Sequence, residues 1–139
     1  MQSWGLTLRT AIREQDPTTP ITVGQMPLTS GPLGPASMGT FVDILTVHCY
    51  PADGAVADSI NAFNAFALVG KPTILGETYP LVCSVATERS FLAAIRDNAD
   101  GMHYFLDGRL PSDYHRGPLR AAQQMFVDLR GEWSSILFS

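Results

Sequence analysis

The chain of 139 residues carries 13 acidic and 9 basic side chains, a net charge of −4, and is 45% apolar and 16% charged. That size suits one domain with a buried core, the composition excludes a disordered chain, and no apolar run approaches the roughly 18 residues that span a bilayer. The basic residues are scattered singly, which argues against nucleic acid. The two cysteines, Cys49 and Cys83, lack a CxxC partner or a His at zinc spacing, so they read as buried free thiols.

Residues 3–15 read as a helix with Trp4, Leu8, Ala11 and Ile12 on one face, ended by Asp16-Pro17. Residues 20–24 follow as a first strand, and a proline-laden stretch from Gln25 to Thr40 holds one short helical turn at most. The apolar run 42–48 is a second strand. A helix over about 56–68 places Ile60, Phe63, Ala67 and Leu68 at helical spacing, with Gly70 at the stop. Residues 72–76 form a third strand, about 87–98 a helix burying Phe91, Leu92 and Ile95, and 101–106 a fourth strand. Pro118 opens a last helix running to about Leu129. Strands alternating with helices predict a single α/β domain in which four parallel strands are joined by crossover helices.

Two strand ends carry chemistry. The run Lys71-Pro72-Thr73-Ile74-Leu75-Gly76-Glu77 delivers one carboxylate to the sheet rim, the edge where parallel α/β proteins keep their active sites. The preceding strand ends in His48-Cys49-Tyr50, and period-two alternation sets His48 and Tyr50 on one face with Cys49 opposite. A carboxylate, an imidazole and a phenol are therefore expected together. His103 and His115 have no such company and read as structural or exposed, while Asp43, near the start of its strand, reads as a loop or cap hydrogen-bonding group.

The segments Ile12 to Gly24, Val42 to Pro51 and Lys71 to Glu77, in that order, resemble the second half of a clan A glycoside hydrolase, the cellulase and β-mannanase type of (β/α)₈ barrel. The resemblance covers nearly the whole chain, from the helix after strand four to the helix after strand eight. It implies a half (β/α)₈ barrel in which Glu77 matches the nucleophile of a retaining enzyme, with His48 and Tyr50 lining the sugar site and orienting it. Strand eight of the family supplies an aromatic platform, usually Trp, a role that falls here to Tyr104 or Phe105.

The family's acid/base glutamate follows an asparagine at the end of strand four, and no Asn-Glu dipeptide occurs in this chain. Glu14 and Glu88 fall on helices, and Glu132 lies near the C terminus. The expected protein is a fragment carrying the nucleophile side of a glycosidase, weak or inactive alone, that needs no metal or organic cofactor. Its expected partners are a carbohydrate ligand and either further copies of itself or a complementary half-barrel chain, with no nucleic acid and no membrane. A noncatalytic carbohydrate-binding or assembly module is the alternative. A flavodoxin-like domain ranks last, because Gly31-Pro32-Leu33-Gly34-Pro35 makes a poor phosphate loop. Met1 to Gly5 lacks the basic start and apolar core of a signal peptide, and the compartment stays open.

Overall fold

A computed structural model describes residues 2–103, 105, 111–113 and 120–128. The elements run α1 (Gln2–Gln15), β1 (Thr22–Gln25), α2 (Pro35–Met38), β2 (Ile44–His48), α3 (Val56–Ala67), β3 (Thr73–Glu77), α4 (Val85–Ile95), β4 (Gly101–Met102) and a helical stretch α5 over 120–128. The strands form one sheet in the order β1-β2-β3-β4 with every pair parallel. Parallel neighbours in chain order require a crossover between successive strands. The α/β architecture expected from the sequence, half a (β/α)₈ barrel, is the one observed.

Alternation along β2 divides its side chains between two environments. Leu45 and Val47, with Cys49 just beyond, are buried, and they join Leu75 of β3, Phe63 and Phe66 of α3, Phe91, Leu92 and Ile95 of α4, and Ala122, Met125 and Phe126 of α5 in one core. The intervening Ile44, Thr46 and His48, with Ile74 of β3, are only half-buried. One sheet face is thus packed by helices, and the strands place no buried apolar side chain on the other among the described residues. The latter is the face that would look into a closed barrel.

Local signals explain the helix boundaries. Gly70 adopts a positive φ of 76° just after α3, the left-handed conformation that glycine adopts without strain at a helix stop. Ser84 caps α4, its hydroxyl accepting from the Thr87 amide at 3.1 Å. Asp53 reaches across from the loop after β2, accepting from the Ser84 amide at 3.1 Å and from the Thr87 hydroxyl. These bonds hold its carboxyl below the usual carboxylate range, the Thr87 bond contributing most. The loops after β2 and β3 are also joined by a parallel bridge between Ala52 and Val82. The strand ends that carry the candidate site are therefore tied together from above.

At the opposite edge Asp43 does more than cap a loop. It pairs with Arg9 at 2.8 Å and with Arg13, both from α1, and accepts from the Ile21 amide at 2.8 Å. The bond from Arg9 comes first among the causes that draw its carboxyl down to about 2. One carboxylate thus fixes α1 to the start of β1 and β2.

Some expected boundaries and burials differ. The stripe Trp4, Leu8 and Ile12 of α1 is exposed, and Gly5, against the Phe41 ring, is the helix's buried residue. β4 is described as a strand only over Gly101–Met102, and His103 is exposed. Cys49 is buried as expected, whereas Cys83 is only half-buried. Tyr104, His115 and Glu132 lie outside the described residues.

Candidate active site

Glu77 closes β3, and its position depends on an irregularity that alternation alone does not contain. Val47 pairs with Leu75, but the next pair is His48 with Glu77, so Gly76 is an extra residue on β3. Strict period two from Leu75 would send Glu77 to the helix-covered face. The bulge resets the phase and turns Glu77 toward the side of His48. Thr78 then takes the opposite direction, fully buried, and its hydroxyl donates to Glu88 of α4.

Gly76 also makes room for this turn. A Cβ built there would fall inside hard contact with Thr46 Cγ2 and lie 3.2 Å from His48 Cδ2. On the other side of His48, a Cβ on Gly24 would lie 2.5 Å from Nε2. The imidazole therefore occupies space that two glycines, one on each flanking strand, leave open.

Two polar groups converge on one oxygen of Glu77. The Tyr50 hydroxyl donates to Oε2 at 2.7 Å, and His48 Nδ1 lies 3.2 Å from the same atom. Oε1 has no hydrogen-bond partner among the described residues, and the Glu77 side chain keeps 36% of its exposure. Burial first, then the hydrogen bond to Glu77, raises the Tyr50 phenol well above its ordinary value. Tyr50 accordingly stays protonated and remains a donor. The arrangement is a half-open carboxylate with one oxygen held and the other turned free.

The three residues expected together from the sequence, Glu77, His48 and Tyr50, are brought together. Tyr104 lies outside the described residues, and Phe105 is 58% exposed. Sequence reasoning placed Glu88 on a helix but missed its burial, for the side chain has no exposure at all. Its Oε1 accepts from Thr78, and its Oε2 lies 3.7 Å from the Cys83 thiol. Burial raises the pKa of Glu88. Burial also pushes Cys49 up to about 12 and Cys83 to about 11, with the Glu88 charge adding to both. Both thiols are thus poor nucleophiles near neutral pH. A signal that could have found Glu88 is the Ser84 cap, which sets this residue in the first turn of α4, where a carboxylate is favoured near free amides.

Among the described residues no group of three His, Cys, Asp or Glu side chains could hold a metal ion, and no helix is long and apolar enough to cross a membrane. No protein-family model matches the chain, and no curated protein matches it in sequence.

Proposed function

We propose that this chain is a glycoside-hydrolase-like domain of the retaining type, carrying the nucleophile side of the site. The observation that supports this reading is the convergence of Tyr50 and His48 on Oε2 of Glu77 at the C-terminal rim of a parallel sheet. A retaining nucleophile must be an ionised carboxylate with one oxygen fixed and the other free to attack the anomeric carbon. Tyr50 stabilises the anion and orients it, His48 lines the same wall, and Oε1 attacks. The glycosidic bond breaks as the new ester bond forms, and its electron pair leaves with the departing oxygen.

That oxygen needs a proton, which retaining enzymes supply from a second carboxyl about 5 Å away. The other described carboxyls near the site are engaged elsewhere: Glu88 with Thr78, Asp53 with Ser84 and Thr87. Ordinary β-glycosides are therefore poor substrates for the chain alone. This same feature favours the second reading, a carbohydrate-binding module without turnover. A complementary half-barrel, or a second copy of the chain, would cover the open face and pair along the outer edges of β1 and β4, which carry no further strand among the described residues.

A 2,4-dinitrophenyl glycoside tests the proposal, because its leaving group departs without protonation. The expected result is slow release of one equivalent of dinitrophenolate with a matching mass increase on Glu77, absent in Glu77→Gln. Sugar binding without labelling would favour the binding module. Labelling that persists in Glu77→Gln would refute the nucleophile assignment.

A further inference from the structure

The carboxamide of Gln25 is buried for no reason internal to the described fold. Gln25 keeps 7% of its exposure, yet neither Nε2 nor Oε1 has a hydrogen-bond partner among the described residues. Such a group lowers stability, so its burial points to a partner outside the chain.

Gln25 lines a crevice of about 310 Å³ between the end of β1 and the first turn of α1, with Trp4, Met26, Leu28, Met38 and Phe41. That volume lies at the small end of ligand sites, and the pattern of apolar walls around one polar anchor is typical of them. Trp4 and Met26, each 58% exposed, leave it accessible. Gly24 also lines the crevice, and it is the residue whose lack of a side chain makes room for His48 Nε2. Gln25 pairs with Val47 of the helix-covered face and Gly24 with Thr46 of the other, so the crevice lies across the sheet from the Glu77 site.

We propose that this crevice binds a compact aryl group carrying a neighbouring donor and acceptor, such as an aryl amide. A carboxamide offers both functions at once, so a ligand amide would form two hydrogen bonds with Gln25 while its ring packs against Trp4. An aryl ring alone leaves the Gln25 carboxamide unpartnered and gains less. The crevice is therefore distinct from the Glu77 site, and its proposal stands whether or not the glycosidase reading holds.

Benzamide is the probe and toluene the control, followed by NMR on the Trp4 indole and Gln25 side-chain amide signals of the whole chain. Benzamide should shift both signals and bind more tightly than toluene. Gln25→Leu should weaken benzamide about tenfold, leave toluene unchanged or tighter, and raise the Tm of the free protein, because an apolar side chain suits the empty crevice better. A merely structural Gln25 would instead lower the Tm when replaced. Absence of shifts at Trp4 and Gln25, equal benzamide affinity in Gln25→Leu, or a lowered Tm in that variant would each overturn the site.

Discussion

Gly76→Ala tests whether the bulge in β3 builds the site. Gly76 is not among the described glycines with positive φ, so alanine adds no backbone strain there. Its cost comes from space: the new methyl falls on Thr46 Cγ2 and within 3.2 Å of His48 Cδ2. Overpacking of this kind costs about 2 kcal/mol, which for a chain this size is a drop in Tm of about 8 °C. Thr46→Ser removes the colliding methyl while retaining the hydroxyl that lies 2.5 Å from Thr22 Oγ1, and by itself costs about 0.5 kcal/mol for a half-buried methyl. The double variant should lie about 1 kcal/mol below wild type, against about 2.5 for the sum, a coupling of about 1.5 kcal/mol. Urea denaturation of the four proteins at constant m-value measures it. Gly76→Ala with unchanged stability, or a cost that Thr46→Ser does not relieve, would refute the reasoning. Labelling of Glu77 should fall with Gly76→Ala and recover with the pair.

Tyr50→Phe removes one donor from Oε2 and should slow labelling of Glu77 about tenfold without abolishing it, as read by dinitrophenolate release. Asp43 is depressed in the folded chain, so its stabilisation is present above the ordinary carboxylate range and is lost as pH falls toward about 2; acid denaturation of Asp43→Asn should lack that loss. Glu88 is raised, so its contribution is intact below the ordinary carboxylate range and declines as pH rises through its folded value. Glu88→Gln should flatten that decline in a series of urea titrations across pH. Static light scattering should report assemblies larger than one chain at micromolar concentration, and a dispersed monomer would refute pairing through the open sheet edges.

Periodicity made the alternation of helices and strands legible, because apolar positions recur with a period near 3.6 in the helices and alternate in β2. The same alternation placed His48 and Tyr50 together and Cys49 opposite, as observed. It also made Gly70 readable as a helix stop, since the residue type itself signals the left-handed conformation. For α1 the period placed Trp4, Leu8 and Ile12 on one helix face, and that face stays exposed. Periodicity defines a face; only the packing of neighbouring elements decides whether anything covers it.

Glu77 shows the limit most clearly. The sequence alone determined that a carboxylate ends an apolar strand, yet strict alternation from Leu75 would have turned it into the helix-covered layer beside Glu88. Only pairing with β2 decided otherwise, through the extra residue at Gly76 and the fit of His48 between Gly76 and Gly24. Bulges arise from register between strands distant in sequence, whereas the burial of Glu88 comes from the packing of α4 against the end of β3. Local pattern carries the chemistry of each side chain, and long-range pairing decides which of them face one another.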